Sequence, residues 1–90
     1  MNLEEFKLVR DTIPLLPGIY KYSDAEGNII YIGKAKELKK RVSSYFLKND
    51  HSYRIAKMVD NIHKIEFVIV DTEQDAFLLE NSLIKKYQPK

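Results

Sequence analysis

Residues 18–36 read GIYKYSDAEGNIIYIGKAK, and the way this stretch folds decides how the rest of the chain is placed. Two β-prone runs, Gly18–Ser23 and Asn28–Ile32, flank the polar segment Asp24–Gly27, a turn signal. The spacing predicts a hairpin closed by a four-residue loop, Asp24–Gly27. In that register Tyr20 faces Tyr31, Tyr22 faces Ile29, and all four side chains share one face of the sheet. A cross-strand aromatic pair commonly stabilises a hairpin. The same pair beside a cation would also serve as the floor of an active site. Gly33 closes the second strand where a basic helix begins, so a ligand would approach the backbone closely there. Lys34 follows at once. A phenol with a pKa near 10 is a poor base at neutral pH, but neighbouring cations favour its phenolate.

Outward from the hairpin, the periodicity changes to that of helices. Leu38, Val42 and Phe46 form an apolar stripe on a helix expected over about residues 35–48, with Arg41 and Tyr45 one turn apart on it. The planar fork of Arg41 suits a phosphate, although taken alone a surface arginine among lysines is the better reading. Residues 49–52 break this helix. Ile55, Met58, Val59 and Ile62 mark a second, shorter one. KIEFVIV, residues 64–70, reads as a strand whose later half is apolar on both faces and therefore covered. Thr72 caps a last helix, with Asp75 at the third position; it runs to about Tyr87 and Pro89 follows. Ahead of the hairpin, Asn2 and Glu5 form a capping-box pattern, and Leu3, Phe6, Val9 and Ile13 fall near helical spacing before Pro14. The resulting order, α-β-β-α-α-β-α, predicts an α+β fold: a small three-stranded sheet flanked by helices.

Ninety residues suit one domain with one modest core. There is no cysteine, which excludes a disulfide framework and thiolate metal sites and suits a reducing, cytoplasmic setting. No apolar run approaches the ~20 residues of a membrane span. The acidic, amphipathic start MNLEEFKLVRD is unlike a signal peptide. Net charge is only +2, but residues 34–57 carry eight Lys or Arg against two acidic residues. Such a stripe is the footprint of a polyanion partner, or else a solvated lysine-rich helix face. His51 and His63 have no ligand-pair spacing and read as surface or packing residues.

On the last helix Ala76, Phe77, Leu83, Ile84 and Tyr87 share one face at helical spacing, and Glu80 falls near the middle of that face. A carboxylate among apolar side chains needs something to offset its desolvation. It would pair with a buried cationic side chain, bind a metal ion, or sit at the edge of the stripe and reach water.

LPGIY, the run YIGKAKELKKRVSSYF and the ending TEQDAFLLENSLIKKYQPK, in this order and at these distances, resemble the GIY-YIG nuclease superfamily. Within it the likeness is to the N-terminal nuclease domains of the UvrC family, incision subunits of bacterial nucleotide excision repair. It extends from about Ile13 to Lys90. The resemblance implies an antiparallel sheet and a divalent-metal-dependent endonuclease using one Mg²⁺ or Mn²⁺ ion. The two mirrored tripeptides of the superfamily are here Gly18–Tyr20 (GIY) and Tyr31–Gly33 (YIG). The resemblance implies roles for Tyr31 as general base, Tyr20 as the tyrosine of the first tripeptide, and Arg41 on the scissile phosphate. Lys34 matches the lysine after the second tripeptide, Tyr45 a supporting tyrosine, and Glu80 the metal-holding carboxylate. Lys36 and Lys40 would join Lys34 and Arg41 on DNA, with Gly18 and Gly33 structural at the site. It further implies a monomeric domain forming the N-terminal part of a longer protein, and damaged duplex DNA presented as a UvrB–DNA complex. Relatives of this kind carry a functional asparagine beyond the position of Lys90. Another branch of the superfamily, such as a homing or structure-specific nuclease, and a non-catalytic DNA-binding module are the competing readings.

Overall fold

Gly18–Ser23 (β1) is the central strand of a three-stranded sheet ordered β2-β1-β3, with Ile29–Ala35 (β2) and Lys64–Ile69 (β3) both antiparallel to it. A computed structural model describes residues 1–47 and 51–88 of the chain. The helices are Leu3–Val9 (α1), Leu38–Leu47 (α2), Tyr53–Asn61 (α3) and Glu73–Tyr87 (α4), and a 3₁₀ turn, Arg10–Thr12, follows α1. The order and the α+β class are those expected from the sequence. Lys48, the expected break at residues 49 and 50, and the stop at Pro89 lie outside the described residues.

The hairpin register differs from the expected one by two residues. Tyr22 faces Tyr31 and Tyr20 faces Gly33. Two local features cause this. The backbone amide of Asp24 donates to the Asn28 carbonyl at 2.9 Å, which leaves Ala25–Gly27 as a three-residue loop. The Asp24 carboxylate fastens that loop by accepting from the amides of Glu26 and Asn28. A bulge then makes Ile30 an extra residue between the pairs Ser23–Ile29 and Tyr22–Tyr31. Each feature shifts the ladder by one position. Their sum is even, so Tyr20, Tyr22 and Tyr31 keep one common face, while Ile29 moves to the other.

The strand β2 also runs three residues further than expected, through Gly33, Lys34 and Ala35, and α2 starts correspondingly later. Gly33 therefore lies within the strand, opposite Tyr20, and does not close it. A Cβ there would lie 2.4 Å from both the Tyr20 hydroxyl oxygen and its ring carbon Cζ. The absent side chain makes room for an aromatic ring. Gly18 is required for a similar reason, because a Cβ would lie 2.3 Å from the carbonyl oxygen of Val68 on β3.

One sheet face carries the larger core. Leu38, Val42 and Phe46 of α2 are buried against Tyr20, Tyr22 and Phe6, and the Phe6 and Phe46 rings stack at 4.3 Å. Val59 and Ile62 close this layer, as the short apolar repeat of α3 predicts. The Asn2–Glu5 capping box forms and starts α1. The opposite face is covered by α4, whose Ala76, Leu79 and Leu83 pack on Ile19, Ile29 and Ile32. The far end of β3 is not covered as expected: Val68 and Ile69 are 41% and 50% exposed. The strand lies at a sheet edge, and α4 packs chiefly over β2 and β1.

Candidate active site

The tyrosine face of the hairpin and the first two turns of α2 meet in one cluster. Tyr20 and Tyr22 alternate along β1, Tyr31 comes across from Tyr22, and Tyr45 descends from α2. All six ring pairs among these four tyrosines have centroids between 5.2 and 6.1 Å apart. Separations of this order fit offset and edge-on aromatic packing. Tyr22 is fully buried, Tyr20 and Tyr45 are 1% and 7% exposed, and Tyr31 is only half-buried. Tyr31 is therefore the one phenol of the four with substantial access to a substrate.

Arg41 joins this cluster from its rim. Its position one turn before Tyr45 on α2 aims both side chains the same way. Nε donates to the Tyr20 hydroxyl at 3.4 Å and Nη2 to the Tyr45 hydroxyl at 3.5 Å, while the two hydroxyls lie 2.9 Å apart. The guanidinium contacts are long for hydrogen bonds and hold the group loosely. They use only part of its five-donor fork, and the residue is exposed, so donors remain for an anion.

Burial pushes all four phenols above their ordinary pKa. For Tyr22 the rise is large, and its hydroxyl has no hydrogen-bond partner among the described residues. Tyr45 is pushed up to about 12, by burial first and then by its bond with Tyr20. Desolvation also raises Tyr20 and Tyr31, with Arg41 pulling each partly back. The cation beside the tyrosines is thus Arg41. Lys34 does not play that part: it lies three residues from Tyr31 on a strand, hence on the other face, and its ammonium stands 4.7 Å over the Phe77 ring of α4.

Lys34, Lys36, Lys40 and Arg41 nevertheless line one open groove, together with Ala35 and Glu37, so the four expected DNA-contacting residues do share a surface. Within it the Lys40 ammonium is 3.0 Å from Glu37, an exposed pair that water competes for readily. Lys39 turns away to Asp11 at 3.4 Å. Lys34, Ala35 and Lys36 also line a second cavity of about 240 Å³ with Ala76 of α4. The lysines therefore bridge the groove at Arg41 and the start of α4.

Glu80 is half-buried, and its place on α4 is more lateral than the sequence pattern implies. The buried ridge of α4 is Ala76–Leu79–Leu83, whereas Phe77, Ile84 and Tyr87 are well exposed. Glu80 lies at the boundary, one turn from Ala76 and from Phe77. Among the described residues it makes no ion pair or hydrogen bond, so the reading in which a buried cationic side chain neutralises it is not realised. Nor do three or more His, Cys, Asp or Glu side chains gather anywhere among those residues.

Three residues beyond the expected set contribute. Tyr22 completes the cluster, and its strand alternation with Tyr20 is visible in the sequence. Phe77 receives Lys34. His51 places Nε2 at 2.8 Å from the Tyr45 carbonyl oxygen and its ring 6.1 Å from the Tyr45 ring, which pins the end of α2. No sequence spacing announces that contact.

The fold that carries this cluster has counterparts in known proteins. Residues 16–90 match the family model of the UvrC-like GIY-YIG domain. The chain is 57% identical over 79 residues to UvrABC system protein C of Christiangramia forsetii and 48% identical over 90 residues to that of Porphyromonas gingivalis. These matches cover 88% and 100% of the chain, but only 13% and 15% of the relatives. The chain thus spans about one seventh of the length of the curated relatives it matches. Among solved structures, the magnesium-bound GIY-YIG N-terminal endonuclease domain of UvrC from Thermotoga maritima superposes with a TM-score of 0.83. Sequence identity there is 37%, and the match covers 97% of this chain and 94% of that one. The chain belongs to the UvrC-like GIY-YIG domain family.

Proposed function

We propose that this chain is a divalent-metal-dependent endonuclease domain that hydrolyses one phosphodiester bond of DNA. In a full-length protein of the UvrC type it would make the incision on the 3′ side of a lesion. The observation that carries this reading is the position of Arg41, which touches two phenols of the tyrosine cluster and also lines the groove of Lys34, Lys36 and Lys40. A phosphodiester lying in that groove would meet the guanidinium fork and the tyrosine face together.

Each side chain has a definite task. The lysines attract and orient the strand through its phosphates. Arg41 takes the scissile phosphate in its free donors and stabilises charge developing on the oxygens. Tyr20 and Tyr45 hold Arg41 at the rim. Tyr31, the accessible phenol, acts in its phenolate form, which takes the proton of the attacking water and becomes the neutral phenol. Glu80, a hard oxygen donor with no protein partner among the described residues, fits Mg²⁺ or Mn²⁺, ions that retain most of their waters and also take phosphate oxygens. Bound there, such an ion would supply Lewis-acid stabilisation of the phosphoryl oxygens. The substrate in this reading is damaged duplex DNA presented by a UvrB-type partner, and the domain acts as a monomer in the cytoplasm.

The deciding experiment is Glu80→Ala, assayed for Mg²⁺- or Mn²⁺-dependent nicking of supercoiled DNA and for DNA affinity. Nicking should be lost, while the circular dichroism spectrum and most of the affinity remain. Undiminished nicking by the variant would overturn the proposal. Salt-sensitive binding without nicking by the unsubstituted chain would favour a non-catalytic binding module.

A further inference from the structure

We infer that Phe77 is a positioning residue, the aromatic platform on α4 that fixes where Lys34 delivers its charge. The inference rests on the nuclease reading above and adds to it a residue and a division of labour.

A lysine at position 34 has four rotatable stem bonds and would otherwise sample a wide arc of solvent. Strand alternation places it on the α4 side of β2, away from the tyrosines. There its ammonium stands 4.7 Å from the centroid of the Phe77 ring, within the range of cation–π attraction. Phe77 is itself 47% exposed, and the ridge that packs α4 on the sheet consists of Ala76, Leu79 and Leu83. Core packing does not account for an aromatic ring at this position, whereas holding a cation does. Phe77 also precedes Glu80 by three residues, so the ring and the carboxylate occupy the same stretch of helix surface. Lys34 and Ala76 line one cavity between β2 and α4. The contact therefore assigns Lys34 to the Glu80 side of the site and leaves the tyrosine side to Arg41. The two cations would act on the phosphate from different directions, Arg41 from α2 and Lys34 from the β2–α4 junction. In this arrangement Lys34 acts directly on the substrate, and Phe77 acts only through Lys34.

The contact can be read without any cleavage. Lysines reductively methylated with ¹³C report a ring current when their methyl groups lie over an aromatic face. The Lys34 signal, assigned with Lys34→Arg, should be shifted upfield in the unsubstituted protein. Phe77→Leu should abolish the shift, and Phe77→Tyr should retain it. In single-turnover nicking, Phe77→Leu should lower the cleavage rate about two- to fivefold, the fold-change expected of an exposed cation–π contact. DNA affinity should stay near its original value, and Phe77→Tyr should restore the rate. An unshifted Lys34 signal in the unsubstituted protein, or a shift lost in Phe77→Leu with no change in rate, would overturn the inference. So would a rate loss that Phe77→Tyr fails to restore, because that would mark a packing role. If the unsubstituted chain shows the shift but no Mg²⁺- or Mn²⁺-dependent cleavage, the nuclease reading fails instead, and the positioning role falls with it while the contact stands.

Discussion

Tyr20 of β1 lies directly opposite Gly33 of β2, and a Cβ on residue 33 would come within 2.4 Å of the Tyr20 hydroxyl oxygen. The second glycine of the mirrored tripeptides thus serves the tyrosine of the first. Gly33→Ala should displace a ring whose hydroxyl meets Tyr45 at 2.9 Å and receives Arg41 at 3.4 Å. Overpacking of this kind costs about 1–3 kcal/mol. A urea titration should show the midpoint lowered by a corresponding amount, and nicking should fall with it because Arg41 loses a support. An unchanged midpoint would mean that the ring yields at little cost.

Tyr22 presents the opposite situation, a hydroxyl buried without a partner among the described residues. An unsatisfied buried hydroxyl costs about 1–3 kcal/mol, and Tyr22→Phe removes it without opening a cavity of any size. Phenylalanine should therefore stabilise the fold, with a rise in Tm of about 4–8 °C for each kcal/mol gained. A fall in Tm would reveal a partner for the hydroxyl in solution, such as a buried water.

The same burial makes an alkaline prediction. The four cluster phenols have raised pKa values in the folded state, Tyr45 to about 12. An unfolded phenol titrates near 10. Between these values the unfolded chain has released protons that the folded chain still holds, so stability falls as pH rises. Denaturation midpoints should be level through neutral pH, then decline from about pH 10. Tyr22→Phe should make that decline shallower. An equally steep decline in the variant would point to groups outside the cluster.

Proton acceptance by Tyr31 should leave a kinetic signature. Its phenol is raised by burial, so at working pH it is almost wholly protonated, and the phenolate fraction grows about tenfold per pH unit. The single-turnover rate should follow with a logarithmic slope near 1 from about pH 7 to 9. Tyr31→Phe should lose about 10²–10⁴ in rate, together with the slope. A loss of only a few-fold with the slope intact would move the base role elsewhere.

Arg41→Lys keeps the charge but removes the fork that spans Tyr20, Tyr45 and the groove. A charge-assisted hydrogen bond is worth about 1.5–3 kcal/mol, so cleavage should slow by about 10- to 160-fold. DNA affinity measured in moderate salt should change much less. Equal losses in both would make Arg41 a binding residue only.

The local patterns carried much of this in advance. The Asn2–Glu5 box, the buried Leu38–Val42–Phe46 stripe and the Thr72 cap are interactions between residues at most four positions apart per step, and each forms as its spacing implies. The shared face of Tyr20, Tyr22 and Tyr31 was also legible, because strand alternation survives an even shift of register. Glu80 stood out for a related reason, since a carboxylate beside an apolar ridge is anomalous wherever the helix docks.

What the sequence alone determined were the element order, the tyrosine face, the basic segment after the hairpin and the anomalous carboxylate. All of these depend on periodicity or composition along the chain. What only the tertiary structure decided was which cation serves which part of the site. A bulge at Ile30 and a three-residue loop set the tyrosine pairing, and the extension of β2 through Ala35 turned Lys34 toward Phe77. The tyrosines were left to Arg41. A cation's influence depends on distance and on the sheet that separates it from its target, and neither quantity is written in sequence spacing.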